Sequence, residues 1–387
     1  MAVSPSRRLP VTVVTGFLGS GKTTLLRHLL LESGLKLAVL VNEFGEIGID
    51  GDLLAACGFC DADELDGRLV ELANGCLCCT VQDEFLPTML SLLERSDNLD
   101  GIVVETSGLA LPEPLVAAFG WPSIRTRTRV HAVVTVVDGE ALAAGHVVGD
   151  AEAVDAQRRA DPSLDHLRAI EDLFQDQLEA ADLVLVSRAD RLDGTRMEQV
   201  VGQIRPRIRP GTSVLPMARG RVDPFLLLAS RGADPSDDPH LRNAAKLGTV
   251  GSDHEHDHEH HHEHDHEHHH EHDHEHHHTH VAMEAVVIRR PGLWEREALE
   301  QQLLHLIRTE PVLRLKGRLH QKGRRLPLQI QAVGARLDCW YEAQEIPGSG
   351  PAEPSLELVV LGAAADAPRL ERAFASLWAS IGSRTTA

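Results

Sequence analysis

The stretch that most constrains this chain is residues 16–23, GFLGSGKT, set between two segments of opposite character. Before it, residues 10–16 (PVTVVTG) are apolar and β-branched and are bounded by Pro and Gly, which predicts a buried strand. After it, residues 22–32 (KTTLLRHLLLE) have the composition of a helix. The spacing G-x-x-x-x-G-K-[ST] in a strand–loop–helix setting predicts a phosphate cradle. Backbone N–H groups at a helix N-terminus face the phosphates, and glycines let that backbone come close. Lys22 reaches the β- and γ-phosphates, and the Thr23 hydroxyl suits Mg²⁺. The candidate nucleotide contacts are therefore Gly16, Gly19, Ser20, Gly21, Lys22, Thr23 and Thr24.

Further short β-rich runs follow at residues 36–43, 101–108, 131–139 and 182–190, with a weaker one at 212–220. Helix-like segments such as residues 165–181 lie between them. Strands alternating with helices predict an α/β fold with a mostly parallel sheet covered on both faces. A phosphate-loop domain also needs an acidic residue at the end of a neighbouring strand, near Mg²⁺. The run GIVVETSG offers Glu105. The run LVSRAD ends on Asp190, where a guanine-reading N-K-x-D would stand, with Ser187 and Arg188 in place of Asn and Lys. An Asp there accepts both donors on the guanine edge, and Arg188 can lay its guanidinium on the base. Guanine is favoured over adenine.

Five of the six cysteines, Cys57, Cys60, Cys76, Cys78 and Cys79, fall within one short segment. No signal peptide is recognisable at the start, and no window approaches a membrane span, so the expectation is a cytoplasmic chain with reduced thiols. In that setting the cluster reads as a metal motif, with a redox pair or inert burial as competing readings. Cys76 and Cys78 share a side in an extended loop, and thiolate is a soft ligand for Zn²⁺, Cu⁺ or Co²⁺. A fourth donor must come from elsewhere, and residues 42–50 offer Glu43, Glu46 and Asp50. An incompletely closed site suits transfer better than permanent structure. The formal net charge of −20 argues against a nucleic-acid surface.

From residue 223 the pattern gives way to Pro, Asp, Gly and Ser, and residues 253–280 are almost wholly His, Asp and Glu. That tract holds 17 of the 24 histidines and no apolar residue, so a flexible linker with weak, exchanging imidazole sites is expected. Beyond it, a strand (281–290), a helix (293–309), antiparallel strands and a closing helix predict a smaller α/β domain. The expected organisation is a nucleotide domain at 1–222, a linker at 223–280 and a second domain at 281–387.

The segments TGFLGSGKTTLLRHLL, VNEFGEIGIDG, ELANGCLCCTV, ETSGLALPEPL and DLVLVSRAD, with a His-rich linker and a C-terminal domain, together resemble the CobW family of P-loop GTPases. The resemblance implies hydrolysis of GTP with Mg²⁺. It implies Cys76, Cys78 and Cys79 as the metal motif, with Glu46 as an added ligand, and Glu105 as the glutamate of the third nucleotide motif. The segments around the thiols and residues 107–125 are most similar to the cobalamin-synthesis members. That similarity implies a GTP-dependent metallochaperone supplying Co²⁺ to a cobaltochelatase. Zn²⁺ delivery to a zinc enzyme is the alternative, and a His-rich metal store is the reading of another class. No nucleic acid or membrane partner is expected, and a homodimer is compatible with this reading.

Overall fold

The structure, a computed structural model, describes residues 8–41, 69–71, 85–94, 96–160, 169–229, 282–341 and 353–382. The strands of the first sheet are β1 (Leu9–Thr15), β2 (Leu37–Val41), β3 (Leu69–Glu71), β4 (Gly101–Glu105), β5 (Thr128–Asp138), β6 (Leu183–Ser187) and β7 (Ser213–Pro216). They run parallel throughout, in the order β3-β2-β4-β1-β5-β6-β7. Every residue of β1 is buried, as expected of a central parallel strand covered on both faces.

The intervening helices are α1 (Lys22–Glu32), α2 (Leu86–Glu94), α3 (Pro112–Ala118), α4 (Gly139–Ala143), α5 (Ala151–Ala160), α6 (Ile170–Ala180) and α7 (Gly194–Ile204). Alternation along β1 sends Leu9, Val11 and Val13 to one face, against Met89 and Leu93 of α2 and Leu115 of α3. Val14 faces the other way, into a cluster with Leu25, Leu26 and Leu29 of α1. Because β4 and β5 flank β1 on opposite sides, the chain diverges at the carboxyl ends of these strands, where an open α/β sheet binds its ligand.

Composition predicts a flexible linker from residue 223, but packing continues past that point. A short helix, α8 (Pro224–Leu227), is capped by the Asp223 carboxylate on Phe225 N. Leu226, Leu227 and Leu228 are buried in the first domain's core. Three consecutive leucines outweigh the Pro and Asp that flank them, so the first domain extends to Ala229. The His-rich tract at 253–280 lies outside the described residues.

The second domain has β8 (Met283–Pro291), α9 (Arg296–Thr309), β9 (Arg314–His320), β10 (Leu328–Val333), β11 (Arg336–Tyr341), β12 (Ser355–Ala363) and α10 (Ala367–Gly382). Its five-stranded sheet is antiparallel, in the order β11-β10-β9-β12-β8. One face carries Leu315, Leu319, Ile330 and Leu358 against Leu303 of α9 and Leu370 of α10. In β9 the alternate residues Arg314 and Lys316 are also buried. They are covered because that end of the sheet docks on the first domain.

The junction is polar and tightly fitted. Asp182, fully buried at the start of β6, accepts from Val133 N at 2.8 Å, Arg209 Nη2 at 2.7 Å and Arg336 Nε at 2.5 Å. Arg129 of β5 reaches Gln331 at 3.1 Å and Asp338 at 3.5 Å and lies over the Trp340 ring. Arg314 donates to Leu228 O at 2.7 Å and covers Phe225. Gly334, at φ 48°, passes so close to Asp182 that a Cβ there would stand 1.8 Å from its carbonyl oxygen. The Asp182, Arg129 and Gly334 contacts lie toward the amino ends of β5 and β6, opposite the phosphate loop.

Candidate functional site

The loop between β1 and α1 is shaped by its neighbours before any ligand arrives. Gly16 has φ 139°, and a Cβ there would meet the carbonyl oxygen of Val136 in β5 at 2.1 Å. Helix α1 begins after Gly21 with no side-chain cap and no acidic residue in its first turn. Its first N–H groups and the positive end of its dipole are left for an anion. Lys22 is buried and donates to Phe17 O at 3.1 Å, bending back over the loop. The Ser20 hydroxyl is buried and has no hydrogen-bond partner among the described residues. A phosphate oxygen is the group that would satisfy it.

Parallel pairing brings Glu105 to the loop: Val14 of β1 lies beside Glu105 of β4 in register. The Thr23 hydroxyl donates to Glu105 Oε1 at 3.4 Å, and Lys22 Nζ stands 4.0 Å from the same oxygen. A threonine hydroxyl and a buried carboxylate are hard oxygen donors of the kind Mg²⁺ takes alongside phosphates and waters. The residues present therefore fit the ion. Thr24 is exposed, with its carbonyl against Gly220.

On the other side of the loop, β6 delivers Ser187 and Arg188. Ser187 is buried beside Gly21, and its hydroxyl has no hydrogen-bond partner among the described residues. Arg188 adopts a left-handed backbone with φ 54°. Its guanidinium pairs with the Asp138 carboxylate, donates to Gly19 O at 3.2 Å and stands 3.7 Å from Glu140. It thus ties the loop after β6 to the phosphate loop. Asp190 lies 3.6 Å from Arg219, which also has a left-handed backbone at φ 53°.

Asp138 was not singled out from sequence. It is buried at the end of β5, where Oδ1 accepts from the backbone N–H groups of Glu140 and Ala141 to cap α4, while Arg188 faces Oδ2. The signal was the Asp-Gly pair closing a β-branched run. Its partner lies 50 residues away in sequence, so only the sheet joins them.

Cys57, Cys60, Cys76, Cys78, Cys79, Glu43, Glu46 and Asp50 lie outside the described residues. Among the described residues no group of three His, Cys, Asp or Glu side chains is arranged to hold a metal ion. The strand preceding the thiol motif is described. Glu71, five residues before Cys76, lies in register with Val41, which lies in register with Glu105. Two inter-strand spacings separate the Glu71 and Glu105 backbones, about 10 Å.

Two known protein families match this chain. The family "CobW/HypB/UreG, nucleotide-binding domain" matches residues 10–216, and "Cobalamin synthesis protein cobW C-terminal domain" matches residues 283–377. The chain belongs to the CobW family of P-loop GTPases. "Zinc chaperone CobW" of Pseudomonas aeruginosa is 43% identical over 357 residues, spanning 92% of this chain and 88% of that one. A protein of the same name from Sinorhizobium sp is 40% identical over 339 residues, 87% of this chain and 88% of that one. "Zinc-regulated GTPase metalloprotein activator 1" of Dictyostelium discoideum is 31% identical over 210 residues, 51% of this chain and 43% of that one. In CobW-family terms, the parallel sheet with its loop is the nucleotide domain and the five-stranded sheet is the C-terminal domain. No described helix is long and apolar enough to cross a membrane.

Proposed function

We propose that this CobW-family GTPase is a zinc metallochaperone that couples its nucleotide state to metal held by Cys76, Cys78 and Cys79. The observation that carries the reading is the row Glu71–Val41–Glu105. It starts the thiol segment about two strands from the glutamate facing the phosphate loop. A nucleotide bound there senses, and is sensed by, the segment that follows β3.

The resemblance to the cobalamin-synthesis members places Co²⁺ for a cobaltochelatase first and Zn²⁺ second. Two relatives that match most of this chain are named zinc chaperones, which favours the order zinc, then cobalt. A metalloprotein activator among the relatives favours an acceptor enzyme as partner. The cargo ion is the substrate of transfer, with Glu46 as an added ligand.

In this reading Gly16, Gly19, Ser20, Gly21 and Thr24 surround the phosphates, and Lys22 swings from Phe17 O to the β- and γ-phosphates. Thr23 and Glu105 would hold Mg²⁺, which when bound neutralises phosphate charge. Asp190 reads the guanine edge. Arg188, fixed by Asp138, holds the base loop against the phosphate loop.

The test is a chelator-competition titration of Zn²⁺ with Mg²⁺–GTP, with Mg²⁺–GDP and without nucleotide, repeated with Co²⁺. Linkage requires nucleotide and metal to strengthen each other by the same factor. Zn²⁺ affinity equal in all three states sinks the proposal. A Cys78→Ala variant with unchanged Zn²⁺ affinity removes the thiol assignment. Deleting 253–280 separates the chaperone from a metal store, because a chaperone keeps one tight, GTP-linked site.

A further inference from the structure

Helix α6 carries a glutamine where its own neighbours are apolar. Phe174 and Leu178 join Phe17, Leu109 and Ala110 in one buried cluster. Gln177 follows Phe174 at helical spacing on the same face and is fully buried. Its Nε2 donates to Gly108 O at 3.1 Å and to Ala110 O at 3.3 Å. Its Oε1 is buried and has no hydrogen-bond partner among the described residues. Packing alone would favour leucine or methionine here, because a buried amide with one atom unsatisfied is destabilising. What the amide provides is the donor for two carbonyls.

Those carbonyls belong to the turn that follows Glu105. Thr106 N donates to Val14 O at 2.9 Å, and the Thr106 hydroxyl donates to the Thr15 hydroxyl at 2.9 Å, so the turn leaves β4 tied to β1. Gly108 then passes so close to the phosphate loop that a Cβ would stand 2.6 Å from Leu18 N. Helix α6 also presses on that loop, with the Phe174 ring stacked on Phe17 at 6.2 Å. Behind it, the Thr135 hydroxyl of β5 donates to Gln177 O at 2.8 Å and fixes the helix at this residue. Lys22, the residue for the β- and γ-phosphates, stands 4.0 Å from Glu105 at the head of the turn. The turn therefore borders the terminal-phosphate end of the site.

We infer that Gln177 is a positioning residue for GTP hydrolysis, whose amide holds the turn from Glu105 to Ala110 against the phosphate loop. This role rests on the family's GTPase activity and not on the cargo metal. Without the amide, two buried carbonyls lose their donor, and the turn shifts off the phosphate loop to reach water. A displacement of about 1 Å among groups around a reacting centre lowers the rate on the order of 100-fold. GDP lacks the terminal phosphate, so its binding is insensitive to the turn.

The test is single-turnover hydrolysis of Mg²⁺–GTP by the full chain, with GDP affinity measured alongside. Gln177→Met keeps the volume and removes the donors. It should lower the hydrolysis rate about 10–100-fold and leave GDP affinity near that of wild type. Gln177→Glu restores a donor only when its carboxyl is protonated, which burial favours. Its rate relative to Gln177→Met should therefore rise as pH falls from about 8 to about 6. Circular dichroism checks that each variant is folded. A Gln177→Met rate within about twofold of wild type overturns the inference. GDP affinity falling in step with the rate overturns it too, as do equal rates for the two variants at every pH, because the loss then reflects packing and not the hydrogen bonds. Should Gln177→Met not fold, Gln177→Glu is compared with wild type, and a ratio that does not rise as pH falls overturns the inference.

Discussion

Asp182→Ala tests how the two domains are held together. The carboxylate is fully buried and serves Val133 N, Arg209 and Arg336 at 2.8, 2.7 and 2.5 Å. Removing it strands the Val133 N–H inside the junction, which costs about 1–3 kcal/mol. The Arg209 side chain is 44% exposed and turns to water, so its lost pair costs only about 0.5 kcal/mol. The Arg336 side chain is 25% exposed and crosses from the other domain, so its pair contributes about 1 kcal/mol. The total is about 3 kcal/mol, at the low end of what breaking a buried ion pair costs. Urea unfolding followed by circular dichroism should show that loss. A cycle with Arg336→Met should give a coupling of about 1 kcal/mol, because the two groups touch. A loss below about 1 kcal/mol, or strict additivity of the two substitutions, would mean that Asp182 does not hold the domains together.

Burial, reinforced by Arg314, Arg129, Arg336 and Lys316, holds the His131 imidazole well below its ordinary 6.5. The unfolded chain takes up a proton that the folded chain refuses. Stability from the neutral ring is thus complete above pH 6.5 and falls as pH drops toward the folded pKa, by up to about 1.4 kcal/mol per unit. His131→Gln should flatten that decline in urea unfolding between pH 6.5 and about 5, and parallel curves would show the ring is not responsible. Gly334→Ala forces a Cβ against Asp182 O and should destabilise the junction by more than about 1 kcal/mol, read as faster limited proteolysis between the domains. Glu105→Gln keeps an acceptor for Thr23 but removes the charge. It should lower the Mg²⁺-dependent part of nucleotide affinity and the hydrolysis rate about 10–100-fold, with Mg²⁺-free binding little changed.

Much of the nucleotide domain was legible because its signals are local. The helix read at 22–32 is the helix observed, and five of the six β-rich runs begin within one residue of strands β1, β2, β4, β6 and β7, though most run on past the strand's end. β5 begins three residues earlier than its run, with Thr128, Arg129 and Val130, and those residues lead into the domain junction. β3, at three residues, is too short for a period to show, yet it supplies the row that links Glu71 to Glu105. Composition starts the linker at 223 because Pro, Asp, Gly and Ser become frequent from there. It carries no information about the apolar surface that takes up Leu226, Leu227 and Leu228.

Local sequence is enough for the phosphate loop, for the alternation that makes a parallel sheet and for the close spacing of Cys76, Cys78 and Cys79. These depend on residues a few positions apart, whose geometry is dictated by chain periodicity and backbone sterics. Tertiary structure alone decided which distant groups meet. Arg188 finds Asp138 because β6 lies beside β5, and Asp182 receives Arg336 because the second domain docks at the amino ends of those strands. Pairing of strands far apart in sequence is set by the burial of whole faces, which no short window of sequence contains.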